Sequence, residues 1–97
     1  MNNEIVFEWD EENIRHNTKH GIDFTDALDI FSDPEMRVYP DTRKDYGEER
    51  FNAYGISKGR TMRVCFTMRG DRIRIITMFQ VHDKEWRKYY DADKNNG

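Results

Sequence analysis

Ninety-seven residues are enough for one domain with a modest core. Leu, Ile, Val and Phe number only 19, but two Trp and five Tyr add large apolar areas, and the net charge of −3 is small enough to let the chain fold. No apolar run approaches the length of a bilayer span, nothing at the N-terminus reads as a signal peptide, and Cys65 is the one cysteine. A membrane protein, a disulfide scaffold and a cysteine-rich zinc site are therefore not expected, and the expected compartment is the cytoplasm.

The small net charge hides an asymmetry. Residues 1–48 carry 5 basic and 13 acidic side chains, whereas residues 49–97 carry 11 basic and 6 acidic. Between Arg50 and Arg74 lie seven basic residues, six of them arginine, and one acid, Asp71. Arginine's planar fork suits phosphate, so this stretch is either a phosphate-binding surface or a solvated sheet face.

Ile5 to Trp9 reads as a first strand, with Phe7 and Trp9 on one pleat face. Asp10 is placed to cap a helix that Gly21 ends, with Glu11 and Glu12 favoured in its first turn. That helix is polar nearly all round, Ile14 excepted. Asp23 caps a second helix whose Phe24, Ala27, Leu28 and Phe31 form an amphipathic stripe, and Asp33-Pro34 stops it. Met36 to Tyr39 follows as a strand, and residues 40–49 as a polar loop.

Three strands come next, Phe51 to Ser57, Thr61 to Met68 and Arg72 to Phe79, joined by turns at Lys58-Gly59 and Gly70-Asp71. Two-residue turns pair Phe51 with Phe66, Ala53 with Val64, Met68 with Ile73, Phe66 with Ile75, Val64 with Thr77 and Met62 with Phe79. Met62, Val64, Phe66, Ile73 and Ile75 then share a buried face. Tyr54, Arg63, Cys65, Thr67, Arg69, Arg72, Arg74 and Ile76 share the other. A last helix near 83–91 docks through Trp86, Tyr89 and Tyr90, and residues 91–97 are expected to fray. The predicted fold class is α+β, a single domain over 1–97 in the order β-α-α-β-β-β-β-α, with an antiparallel sheet whose apolar face the helices cover.

Phe7-Glu8-Trp9-Asp10, Lys19-His20-Gly21-Ile22 with Phe24, Ala27 with Phe31, Glu48-Glu49-Arg50-Phe51, Gly55, Thr67-Met68-Arg69 and Arg72-Ile73-Arg74-Ile75-Ile76 occur in order along the chain, with Glu85 and Tyr89 after them. In these residues the chain resembles the BrnT toxins, over nearly its whole length. The resemblance implies a RelE-like fold, a ribonuclease that slows growth by cutting RNA, and neutralisation by a small BrnA-type antitoxin with a DNA-binding part, so that operator DNA is reached only through that partner. A hetero-oligomer is implied and no cofactor is. One departure stands out: members of the family usually continue Arg-Ile-Ile with Ser-Ala-Arg, and here Thr77-Met78-Phe79 puts a phenylalanine where an arginine is expected. The register above assigns Phe79 to the apolar face.

Cutting RNA without a metal needs a base for the 2′-hydroxyl, an acid for the leaving 5′-oxygen and cations around the phosphate. Arg50, Arg72 and Arg74 are the candidate catalytic cations, and Lys19, Arg63 and Arg69 are candidate RNA contacts. Each of them can equally be a solvated or ion-paired surface residue. His20 is a candidate proton carrier, or else a helix C-terminal residue meeting free carbonyls. Glu48, with Glu49 beside it, is a candidate base or a partner for Arg50. His16 and His20 have zinc-compatible spacing but no evident third ligand, so no metal site is expected. His82 reads as a surface or capping residue and Cys65 as a small buried one. Trp9, Trp86, Tyr54, Tyr89 and Tyr90 can stack bases or pack the core. Three readings stay open: an active toxin, a catalytically weak toxin-fold partner and co-repressor, and an RNA-binding domain without a partner.

Overall fold

A computed structural model describes residues 6–9, 11–43, 45 and 47–90, without the side chains of residues 13, 14 and 16. The expected strand start at Ile5, the Asp10 cap, the side chains of Ile14 and His16 and the 91–97 tail fall outside the described residues. The elements are β1 Val6–Glu8, α1 Glu11–Lys19, α2 Phe24–Ser32, β2 Arg37–Pro40, β3 Phe51–Ser57, β4 Arg60–Arg69, β5 Arg72–Gln80 and α3 Asp83–Tyr89. Their order is the expected one. No helix among the described residues is long and apolar enough to cross a membrane.

Asp23 caps α2 as expected, in a capping box: its carboxylate accepts from the Thr25 N–H, and Asp26 accepts from the Asp23 N–H, both at 2.9 Å. The buried side of the helix is not the expected stripe. Ala27, Ile30 and Asp26 are buried, Phe31 is half-buried, and Phe24 and Leu28 are 60% and 43% exposed. Two contacts turn the helix this way. Ile30 seats on Gly55 of β3, where an added Cβ would come within 2.9 Å of its Cγ2. Asp26 is drawn inward by Ser57 Oγ at 2.6 Å and Arg60 Nη2 at 2.8 Å.

The sheet order is β1-β5-β4-β3-β2. Strands β2 to β5 are antiparallel neighbours, but β1 runs parallel to β5, with Phe7 against Ile73. The sheet is therefore mixed rather than antiparallel, because the two helices after β1 carry the chain across before it returns. Lys58 and Gly59 both take positive φ, 52° and 76°, as a two-residue hairpin turn requires, and this fixes the expected β3–β4 pairs Phe51–Phe66 and Ala53–Val64.

Between β4 and β5 the expected pairs Met68–Ile73 and Phe66–Ile75 form, and then the register shifts. Cys65 pairs Thr77, Val64 pairs Met78 and Arg63 pairs Phe79, which leaves Ile76 as an extra residue in a bulge. The expected pairs Val64–Thr77 and Met62–Phe79 are corrected accordingly. The bulge lets Ile75 and Met78, both fully buried, point into the same core, and it swings Phe79 to the arginine face.

Met62, Val64, Phe66, Ile73 and Ile75 are buried, as their alternation predicts, in one core with Ile22, Ala27, Ile30, Ala53 and Met78. The last helix departs from expectation. Trp86 of α3 and Tyr90, which caps its end, pack with Tyr54 and Val81, flanked by Tyr39, Phe79 and Tyr89. This second cluster lies on the arginine face, so the sheet is covered by α2 on one side and partly by α3 on the other. Tyr90 donates to Asp33 at 2.9 Å and ties the end of α3 to the end of α2.

Candidate functional site

Alternation along β4 and β5 brings Arg63, Arg69, Arg72 and Arg74 to one sheet face, and Arg50, just before β3, joins them beside Asn52 and Tyr54. α3 covers one end of this face and leaves the other open.

At the open end, Arg69 and Arg72 stand directly opposite each other at the mouth of the Gly70-Asp71 turn, both exposed. Like charges in such a pair disfavour the hairpin, so folding alone gives no reason for them. Glu8 of β1 reaches both β5 arginines, with Oε1 3.1 Å from Arg72 and Oε2 3.7 Å from Arg74. Arg74 is about a quarter exposed and Arg72 more than half. Across the sheet, Arg50 lies 3.3 Å from Glu48, and Thr67 Oγ1 donates to the Glu49 carbonyl at 2.6 Å, which holds that segment against β4. Pro40, Asp41 and Thr42 form with Glu48, Glu49 and Arg50 a shallow recess of about 400 Å³.

At the covered end, Arg63 donates to Glu85 of α3 at 2.6 Å, and its guanidinium lies 4.2 Å over the Phe79 ring. Tyr54 donates to the same carboxylate oxygen at 2.8 Å. Burial pushes the Tyr54 hydroxyl up to about 12, with Arg63 opposing the shift and Glu85 reinforcing it. A recess of about 590 Å³ opens between α3, β3, β4 and the 40–43 loop. Its wall includes Tyr39, Tyr54 and Tyr89, and its rim includes Arg43, His82, Lys84 and Lys88. Asn52 and Arg63 also line it, and Asn52 Oδ1 and Arg63 Nε are buried without a hydrogen-bond partner.

Cys65 sits between the two ends, buried. Burial and the Asp41 charge push its thiol up, while Arg50, Arg63 and Arg43 pull it back. The thiol is thus no activated nucleophile, and the three guanidinium groups all act on one point of the sheet.

The sequence-predicted residues do not all meet. Arg50, Glu48, Arg69, Arg72 and Arg74 belong to the open end, and Arg63 lies under α3, engaged by Glu85. His20 is elsewhere. It lines a recess with Ile22, Arg60, Met78, Phe79 and Gln80 at the far end of β5, about 16 Å along the strand from Arg74. Lys19, exposed at the end of α1, is beside it in the chain. Phe79 is on the arginine face rather than the apolar one, because of the bulge at Ile76. Sequence reasoning missed Asn52, Asp41, Arg43, Lys84 and Lys88, which tertiary packing alone brings together, and gave Glu85 no role. Among the described residues, no group of three or more His, Cys, Asp or Glu side chains is arranged to hold a metal ion.

No curated protein matches the chain. The family described as "Ribonuclease toxin, BrnT, of type II toxin-antitoxin system" matches residues 9–85, a span that contains most of α1 to α3 and every arginine of the face. The chain belongs to the BrnT family of ribonuclease toxins of type II toxin–antitoxin systems.

Proposed function

We propose that this protein is a single-domain, RelE-like endoribonuclease that cuts RNA on its arginine face without a metal and thereby inhibits growth in the cytoplasm. The observation that carries the reading is the gathering of Arg50, Arg63, Arg69, Arg72 and Arg74 on one sheet face, two of them directly opposed. In the reaction the 2′-oxygen attacks the adjacent phosphorus, the bond to the 5′-oxygen breaks, and a 2′,3′-cyclic phosphate forms. Arg50 and Arg74, each about a quarter exposed, flank the phosphate and stabilise its added negative charge. Glu48, beside Arg50, takes the 2′-hydroxyl proton, and the leaving oxygen takes one from water. Arg69 and Arg72 hold the RNA backbone, Arg63 is held by Glu85 at the edge of that path, and Lys19, beside His20, stands apart from it. His20 takes no part in this step, since it lies at the far end of β5.

The partner is a BrnA-like, DNA-binding antitoxin. An acidic or amphipathic segment of it covers the arginine face in a hetero-oligomer, and operator DNA is reached only through it. The test is RNA cleavage by the purified chain in EDTA, with and without the neighbouring antitoxin. Cleavage that the antitoxin suppresses supports the reading, and no cleavage of any RNA overturns it.

One observation favours a second reading, a toxin-fold co-repressor with little catalysis. Phe79 stands on the arginine face, so the arginine that the family pattern places there is missing from the RNA side of the sheet. Growth arrest on expression without the antitoxin rules this reading out.

A further inference from the structure

The recess under α3 has more chemistry than phosphate binding requires. We propose that it is a nucleotide subsite that takes one base of the RNA, stacked against the tyrosine wall and read at its polar edge by Asn52 and Arg63. Its link to cleavage rests on the ribonuclease reading, whereas base binding does not.

Four features carry it. The first is polar. Asn52 and Arg63 occupy diagonal positions on β3 and β4, since Arg63 pairs Tyr54 two residues beyond Asn52. Each holds one buried, unpartnered atom, an acceptor Oδ1 and a donor Nε. Buried orphans are costly, and since both residues line the recess, a small turn of their side chains satisfies them with a ligand that offers a donor and an acceptor on one edge. Nucleobases offer this on their hydrogen-bonding edges.

The second is aromatic. Tyr54 and Tyr89 stack at 5.1 Å with their planes 10° apart, and Tyr39 meets Tyr89 at 5.3 Å. Tyr39 donates to the Tyr89 carbonyl at 2.6 Å, which fixes the wall before any ligand arrives. Tyr54 is buried behind this stack, so a base stacks on Tyr39 or on Tyr89, where it takes the place of the Lys88 amine 5.1 Å over the ring.

The third is charge and size. Arg43, Arg63, Lys84 and Lys88 line the recess against Asp41 and Glu85, which leaves an excess of cations to meet the phosphate of a nucleotide. About 590 Å³ falls in the usual range of small-molecule sites.

The fourth is continuity. Pro40, Asp41 and Thr42 line both this recess and the one holding Glu48 and Arg50, so a strand crossing the open arginines leads directly into it.

The experiment titrates the full chain with AMP, CMP, GMP and UMP, and with ribose 5-phosphate as the base-free control, followed by amide and side-chain NMR shifts. At least one mononucleotide should bind ten-fold or more tightly than ribose 5-phosphate and shift Asn52, Arg63 and Tyr89. Equal binding of all five reduces the recess to a phosphate seat and overturns the proposal, as does no binding at 10 mM. Asn52→Leu should weaken the preferred mononucleotide five-fold or more and alter the bases at which RNA is cut. Where that variant does not fold, photo-crosslinking of 4-thiouridine monophosphate to the unmodified chain takes its place, with Tyr39 or Tyr89 as the expected adduct and an adduct only elsewhere as the contrary result. A chain that binds mononucleotides but cuts no RNA keeps the subsite and loses the ribonuclease reading. A chain that cuts RNA but binds none loses the subsite alone.

Discussion

Arg63 on β4 and Glu85 on α3 meet at 2.6 Å, and Tyr54 shares the same carboxylate oxygen at 2.8 Å. This contact fastens α3 to a sheet face that would otherwise be open along its whole length. Both charged side chains are less than a third exposed, at 17% and 31%, so the pair is better shielded than an ordinary surface ion pair. A double-mutant cycle of Arg63→Met and Glu85→Gln should give a coupling of about 1–2 kcal/mol in urea unfolding. A coupling near zero would show that α3 is held by its aromatic residues alone.

The same cluster sets an alkaline limit. Tyr54 keeps its proton in the folded state up to about pH 12, whereas an unfolded tyrosine loses its proton near 10. A group whose folded pKa is raised keeps its stabilising effect below the unfolded value, so stability should fall as pH climbs from 10 towards 12. Tyr54→Phe should flatten that fall, measured as the midpoint of urea unfolding across the range.

Asp26 sets the acid limit. Burial works against its charge, but hydrogen bonds from Ser57, the Asp23 N–H and Arg60 outweigh it and hold the carboxyl below the usual range. Stability from this group is complete above the unfolded value of 3.8 and is lost as pH falls through the lower folded value. Asp26→Ala leaves Arg60 and Ser57 without their buried partner and should cost about 3 kcal/mol at neutral pH. An unchanged melting temperature would contradict that account of α2.

On the arginine face, Arg74→Ala and Arg50→Ala should preserve the fold and each lower RNA cleavage by roughly 10²–10³-fold. Glu8→Gln should act in the opposite sense on binding, because it frees Arg72 and Arg74 from their shared carboxylate. Tighter RNA binding with a steeper dependence on salt is expected. Cleavage that survives both arginine replacements would place the scissile phosphate elsewhere.

Neighbouring positions on β5 should respond in opposite ways. Phe79→Arg should fold, because that side chain is only half-buried and lies on the polar face. It should raise cleavage if the family arginine matters for catalysis. Met78→Arg puts a charge into a fully buried site and should not fold. Circular dichroism of the two proteins checks the register directly.

The β3–β4 hairpin was legible because a two-residue turn with glycine at its second position leaves one register, and alternation from Phe51 to Phe66 agrees with it. β5 was legible only to Ile75. Ile75 and Ile76 are both apolar, so the extra residue looks like continued alternation, and no glycine marks the bulge. Strand direction was not legible for β1, whose three residues carry no signal of it. Trp86, Tyr89 and Tyr90 announce that α3 docks but not on which face, since aromatic residues bury equally well against either. The open arginines followed from period two. The recess under α3 did not, because its lining comes from β2, β3, β4, the 40–43 loop and α3, which only the folded chain brings together.

The parallel pairing of β1 with β5 also bears on how the toxin is made. Among the described residues β1 lies at the sheet's edge with β5 as its neighbour, and Glu8 meets Arg72 across 64 residues of chain. A ribosome makes Arg72 64 residues after Glu8, so the first strand has no place to dock until α1 to β4 have been synthesised and β5 follows. Pairing over such a separation is also slow relative to hairpin closure. A product stalled before residue 72 lacks Arg72 and Arg74 and leaves its first strand without a neighbour. The arginine face is thus completed only once β5 has been made, and translation interrupted before it leaves that face without the pair that Glu8 holds.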